Sequence, residues 1–317
     1  MTRGQFSDGW PAAGLGGTGG AGDGAEAGPA AGAADGATDG ATRTLVEVAP
    51  GVHVATAERW ATTTVLIVDA AGACLVVDPA LTASELSALT TTVARRSWRV
   101  TGGVSTHPHW DHLLWSTELG DVPRWATGAA VQHVTGRRAA LIDEAAEEDV
   151  GADLGLIGRV EALVTDRVPG IEREVIVVPC PGHAPGAAAL VLPDAGVLIA
   201  PDMLSDREPP LLDLDAIDPV ADYRRGLEVL EDLSRQHGIR RLVPGHGSVA
   251  DTAQIDARLA ADRAYLDGLA HWLDAGGAGS GSAGVLPGDP AGRLDDPRHA
   301  QEHAAQVQAL RRSSGRG

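Results

Sequence analysis

Three histidines and an aspartate fall within six positions of this 317-residue chain, in the run His107-Pro108-His109-Trp110-Asp111-His112. His107, His109 and Asp111 are two residues apart, so in an extended segment their side chains project to one side and converge. Pro108 stiffens the segment and removes a backbone donor that would otherwise need a partner. If a turn or helix begins after it, His112 comes round to a neighbouring position. Neutral imidazole and carboxylate suit zinc and similar divalent ions. Histidine fills only 11 of the 317 positions, so a fortuitous surface cluster explains this run poorly.

Three further candidates lie downstream, each just after a short apolar run that ends in a Gly- or Pro-bearing loop. They are His183 in Pro181-Gly182-His183, Asp202 in Ala200-Pro201-Asp202, and His246 in Pro244-Gly245-His246-Gly247. Loops at strand ends are where a rigid scaffold carries its site residues.

The elements that must position these side chains are legible as periodic runs. Residues 45–48, 52–56, 64–68 and 74–77 read as strands separated by turn residues such as Pro50-Gly51 and Ala71-Gly72. A helix fits 84–96, and a strand at 100–105 runs directly into the histidine cluster. The stretch 137–165, rich in Ala, Glu, Asp and Leu, reads as a helical insertion or cap. Strand character returns at 174–178, 188–192 and 197–200, and helices at 220–237 and 251–275 flank a strand at 241–243. Strands come early in each half and helices later, which implies an α+β fold of two packed sheets covered by helices.

Outside this unit, placed at 43–275, the chain looks different. Residues 1–42 are dominated by Gly and Ala without apolar periodicity and read as a disordered tail. Residues 276–317 read as a flexible C-terminal tail, in which 295–312 could form a polar helix without a strong apolar face.

Composition excludes several classes. A formal charge of −18, with every basic residue an Arg, argues against nucleic-acid or anionic-membrane partners. No apolar run approaches the roughly 18 residues of a membrane span, and the N-terminus lacks a basic start followed by an apolar core. Cys74 and Cys180 form neither a disulfide framework nor a CxxC site. The expectation is a cytoplasmic protein acting on a small-molecule substrate.

The motif His-x-His-x-Asp-His, followed by a His, an Asp and a His at strand ends, resembles the metallo-β-lactamase superfamily over about 43–275. That resemblance implies a four-layer αββα sandwich of two mixed sheets flanked by helices. It implies that His107, His109 and His183 hold a first metal and that Asp111, His112 and His246 hold a second, with Asp202 bridging. Asp78 resembles the family's outer aspartate, which orients ligands without binding metal; a plain turn aspartate before Pro79 is the alternative. The implied cofactor is two divalent ions, zinc first, with iron or manganese as alternatives. The implied activity is a metallo-hydrolase in which a dinuclear-metal-activated hydroxide attacks a small ester, thioester or lactone, with Asp111 also able to relay a proton.

An Asp at the bridging position, with His rather than Cys elsewhere, resembles the thioesterase and lactonase branches. Glyoxalase II is one such thioesterase, but its basic glutathione-anchoring segment is not evident here. The alternative activity is that of the persulfide dioxygenases, which resemble the same pattern but use a single iron on the equivalents of His107, His183 and Asp202. No Gly-x-Ser-x-Gly elbow or triad offers a competing nucleophile.

Other candidates rank lower. Cys180 reads as a buried core residue, and His133 has at most a position near the cleft. Trp110 and Trp115 either line a pocket or pack the metal loop against the core. Asp206, Arg207 and Glu208 follow Asp202 closely and read as solvated loop charges near a cleft entrance.

Overall fold

The computed structural model describes residues 44–275 and 287–314, excepting the Ser314 side chain. The segment 1–42, read as a disordered tail, lies outside the described residues.

The first half runs β1 (Leu45–Ala49), β2 (Val52–Thr56), β3 (Thr63–Val68), β4 (Ala73–Val77), α1 (Ala83–Arg95), β5 (Arg99–Val104), β6 (Arg124–Ala126), α2 (Gly128–Glu147) and β7 (Glu161–Ala162). The second runs β8 (Ile176–Pro179), β9 (Ala188–Leu192), β10 (Val197–Ile199), α3 (Pro219–Gln236), β11 (Arg241–Val243), β12 (Ala250–Asp251), α4 (Thr252–Asp274) and α5 (Pro297–Ser314). Strands β1 to β7 form one sheet in sequence order, antiparallel as far as β4 and parallel from β4 onward. The second sheet has the order β12-β11-β10-β9-β8 and is parallel only between β10 and β11.

Alternation along the central strands builds four layers. Val65, Ile67, Leu75 and Val77 face the other sheet and meet Leu190, Leu192, Val197 and Ile199 in a shared core. Their sequence neighbours Leu66, Val68, Cys74 and Val76 face outward onto Leu89 and Val93 of α1. On the far side Val191, Leu198 and Leu242 pack under α3 and α4 through Leu227, Leu230, Leu259 and Leu266. Strands buried on both faces must be apolar at nearly every position, and these are. Helix starts follow local chemistry: Thr82 with Glu85, and Asp251 with Gln254, form capping boxes for α1 and α4.

Two regions differ from the sequence expectation. Helix α2 occupies 128–147 rather than 137–165, because Thr127 caps it at the start. Beyond it Asp149, Gly151 and Gly158 adopt positive φ, which ends the helix. The chain then passes a short 3-10 turn at Leu154–Leu156 to the edge strand β7. The second difference is the C-terminal segment. Among the described residues 287–314 it is no flexible tail but a docked helix, with Val307 and Leu310 in the same core as Leu266 and Leu269. Arg293 is buried and pairs with Asp262 at 2.6 Å and Asp289 at 2.9 Å.

The two sheets are joined at the edge where β5, β10 and β11 end. Ala188 N–H donates to Thr106 O at 2.9 Å and Thr63 N–H to Gly245 O at 2.7 Å, while Thr62 bridges His246. All the candidate ligands lie on this edge.

Candidate metal centre

After β5 the chain runs through Thr106 into a 3-10 turn at Trp110–His112. This turn brings His112 beside His107, their ring centroids 4.1 Å apart. His183 arrives from the loop after β8, Asp202 from the loop after β10 and His246 from the loop after β11. Donor atoms of His107, His109, His183 and Asp202 all lie within 4.8 Å of one another, as do those of Asp111, His112 and His246. Asp202 joins the two sets. Its Oδ2 is 3.3 Å from Nε2 of His107, of His183 and of His246, and its Oδ1 is 3.3 Å from His112 Nε2. Asp111 Oδ2 completes the second set at 3.3 Å from His112 Nε2 and 3.2 Å from His246 Nε2.

The groups behind the rings fix which nitrogen faces inward. His183 Nδ1–H donates to Leu211 O at 2.8 Å and His246 Nδ1–H to Trp60 O at 3.0 Å; a carbonyl can only accept. His112 Nδ1–H donates to Asp78 Oδ2 at 3.1 Å. Thr106 Oγ1–H donates to Asp78 Oδ2 at 2.6 Å and therefore accepts from His107 Nδ1–H at 3.0 Å. Four rings thus turn Nε2 into the centre, and His109 turns Nδ1, 3.0 Å from His183 Nε2. Asp78 also accepts from Thr106 N–H at 2.8 Å, and its left-handed backbone (φ 48°), tolerable for Asp, aims the carboxylate at this loop.

Burial and charge act differently on the individual donors. Burial of His107, despite Asp202, pushes it down to about 4, and burial with the His183 and His107 charges holds His109 well below its ordinary value. Burial also opposes charge on His112, but Asp202, Asp111 and Asp78 outweigh it and hold that ring well above the ordinary value. His246 is likewise raised against burial by Asp202 and Glu208. Burial disfavours charge on Asp111 and Asp202, yet the surrounding histidines keep both well below the usual carboxylate range.

The donor set fits divalent cations on an independent observation. His107 Nε2 and Asp202 Oδ1 are buried and have no hydrogen-bond partner among the described residues. Lone pairs left bare inside a protein are costly unless something coordinates them.

Not every sequence candidate reaches the centre. Cys180 is fully buried, its Sγ 3.7 Å from Met203 Sδ, and burial pushes its thiol up to about 12. His133 lies on α2 with Asp213 and Asp215 in its field, outside the donor sets. Trp115 packs in the outer core, and Trp110 packs under the metal loop with its ring edge-on to Trp60. Asp206 and Arg207 are exposed, as expected of loop charges. Glu208 corrects that expectation: it is buried, 3.6 Å from His246 Nδ1 and 3.7 Å from both Arg298 and His299. Thr106, Trp60 and the Leu211 carbonyl escape sequence reasoning; only Thr106, adjoining His107, carries any signal there.

The sequence matches the model of the metallo-beta-lactamase superfamily over residues 57–246, more than half of the chain. This chain belongs to the metallo-beta-lactamase superfamily. Solved structures share the superfamily fold. A beta-lactamase domain protein from Burkholderia ambifaria is 22% identical with a TM-score of 0.63, covering 86% of this chain and 89% of its own. A metallo-beta-lactamase family protein from Thermus thermophilus is 20% identical with a TM-score of 0.60, over 85% of this chain and 95% of its own. A third, solved in a di-iron-bound form, is 22% identical with a TM-score of 0.51, over 65% and 97%. No curated protein matches the sequence. The superfamily match ends on His246 and takes in every candidate ligand, while α5 lies beyond it. No helix among the described residues is long and apolar enough to cross a membrane.

Proposed function

We propose that this member of the superfamily is a metal-dependent hydrolase of a small ester, thioester or lactone, built around a dinuclear centre. One observation carries the reading: two sets of donors meet at a single shared carboxylate, Asp202. His107, His109 and His183 would hold the first cation and Asp111, His112 and His246 the second, with Asp202 between them. The N- and O-donor set suits zinc. Iron is the main alternative, since a protein of this fold has been solved with two irons.

When bound, such a pair of cations supplies a nucleophile from water near neutral pH and polarises the attacked oxygen. The chain's own part is to hold and orient. Asp78 orders Thr106 and His112 together, and thereby His107. Asp111 stays ionised at neutral pH, which suits ligation, and its slightly exposed place at the centre is where a proton relay would stand. Neither cysteine competes as a nucleophile, because burial pushes both thiols up to about 12. The Asp at the shared position, which resembles the thioesterase and lactonase branches, favours those substrates over β-lactams.

The test is metal content per chain together with a screen of thioesters and lactones. Two divalent ions per chain and turnover of at least one such ester class are expected. A single iron with oxygen-dependent consumption of a persulfide would replace this reading with the dioxygenase.

A further inference from the structure

The segment leaving Asp202 passes beside the centre before α3 begins, and between Pro210 and Asp213 its backbone groups face two ways. Leu211 O accepts from His183 Nδ1–H at 2.8 Å and Asp213 N–H donates to Gly182 O at 2.8 Å, both toward the loop that carries His183. The intervening groups face α5. Gln306 Nε2 donates to Pro210 O at 2.9 Å, and Gln306 Oε1 accepts from Leu212 N–H at 2.7 Å. One side-chain amide therefore takes the place of a neighbouring strand's peptide and grips the chain on both sides of Leu211. Its orientation is unambiguous, because Pro210 O can only accept and Leu212 N–H can only donate. Gln306 is held in turn: its Nε2 also donates to Tyr265 Oη at 2.9 Å, which lies 2.8 Å from His303 Nδ1. All three side chains are buried.

We infer that Gln306 is a positioning residue for the metal centre, acting on His183 through the Leu211 carbonyl. By pinning Pro210 and Leu212 it aims Leu211 O at His183 Nδ1–H. That bond fixes the tautomer and the ring direction that leave His183 Nε2 facing His109 and Asp202, at 3.0 and 3.3 Å. The inference rests on the reading of His107, His109, His183 and Asp202 as a donor set. A ligand inside the superfamily match is thus held by a helix outside it. The apolar residues of the same helix, Val307 and Leu310, provide packing and serve as the contrast.

Three variants of the full chain separate positioning from packing. Gln306→Met keeps length but removes donor and acceptor. Gln306→Glu keeps an acceptor for Leu212 N–H and loses the donor to Pro210 O. Leu310→Ala weakens packing and leaves the amide in place. In metal-free protein, long-range proton–nitrogen correlation reads the His183 tautomer; cobalt(II) titration followed by absorption then reads affinity for the first equivalent.

Wild type and Leu310→Ala should show His183 protonated on Nδ1. Gln306→Met should show mixed tautomers and about tenfold weaker first-equivalent binding, as for other outer partners of metal ligands. Gln306→Glu should fall between them. A wild-type tautomer and wild-type cobalt affinity in Gln306→Met overturn the inference. Should that variant not fold, an unaltered tautomer in Gln306→Glu overturns it equally. If wild type itself takes up no cation, the metal-centre reading falls, while the tautomer comparison still decides what Gln306 does.

Discussion

The two halves of the donor cluster both rest on imidazoles around the Asp202 carboxylate but stand on different supports. Behind His107 is a threonine hydroxyl and behind His183 a backbone carbonyl, both neutral. Behind His112 is the Asp78 carboxylate at 3.1 Å, and beside His246 the Glu208 carboxylate at 3.6 Å, in addition to the Trp60 carbonyl. A neutral acceptor orients a ring, whereas a carboxylate orients it and makes it more basic. The electrostatics point the same way: burial prevails over His107 and His109, while carboxylates, Asp202 first and then Asp111, Asp78 and Glu208, prevail over it at His112 and His246. The first half is thus prepared mainly by geometry and the second mainly by charge. One carboxylate, Asp202, belongs to both.

The largest effect should come from removing what the halves share. In Asp202→Ala both cations should be lost and turnover should fall by more than about 100-fold, beyond the range for an outer partner. Elemental analysis of the folded variant checks this. One cation kept at full occupancy would mean that Asp202 is not shared between the halves. Next comes Asp78→Asn, which blunts an acceptor of three donors: Thr106 N–H, Thr106 Oγ1–H and His112 Nδ1–H. Binding of the second cation should weaken by about 10- to 100-fold. The first should weaken less, because its hydrogen-bond link to Asp78 runs through Thr106. Stepwise competition with a chelator separates the two, and equal losses would erase the distinction.

A smaller effect confined to the other half is expected of Gly182→Ala. Gly182 sits at φ +119°, and an added Cβ would land on the Tyr223 backbone of α3. The conformation alone costs about 1–3 kcal/mol for a residue with a side chain. The forced shift moves His183 and leaves His112 and His246 alone. Thermal unfolding should show the loss of stability, and cobalt titration should show a weakened first equivalent beside an intact second. A weakened second equivalent would mean that the halves are mechanically one.

Legibility follows the kind of atom against which a residue is buried. The cluster 107–112 stands out because rare donor types recur at a spacing that only convergence explains, and the sheets stand out because their strands meet apolar neighbours on both faces. The docking of helix α5 stays hidden although its buried stripe has helical spacing, at 299, 302, 303, 306, 307 and 310. Four of those six positions are polar, since they meet Glu208, Arg298, Tyr265 and the backbone of 210–212 rather than oil. Glu208 reads as a solvated charge for the same reason. Hydrophobic periodicity detects burial against carbon and is blind to burial against polar atoms that the fold brings from elsewhere. The stretch 148–160 fails in the opposite sense: its Glu, Asp, Ala and Leu content reads as helix, while positive φ at Asp149, Gly151 and Gly158 breaks it.

The smallest effect is expected at Cys180, which lies behind the first half. This thiol lies three residues before His183 and touches Met203, the neighbour of Asp202, so a cysteine ligand on the first half is the hypothesis to defeat. Its Sγ instead points at Met203 Sδ and at Gly226 O, 3.8 Å away, and burial pushes it up to about 12. A thiol lowered by a nearby cation or cationic groups would alkylate readily; one raised this far holds only about one part in 10⁴ as thiolate at pH 8. Its thiolate fraction rises with pH, so reactivity should stay negligible through pH 9 in the folded chain and appear on unfolding. Cys180→Ala should keep both cations and lose only on the order of 1 kcal/mol for the small cavity, as other small truncations in a core do. Mass spectrometry after alkylation and the metal count of the variant check the two halves of this statement. Loss of one cation in Cys180→Ala would show that sulfur supports the first half, which would then no longer rest on neutral groups and geometry alone.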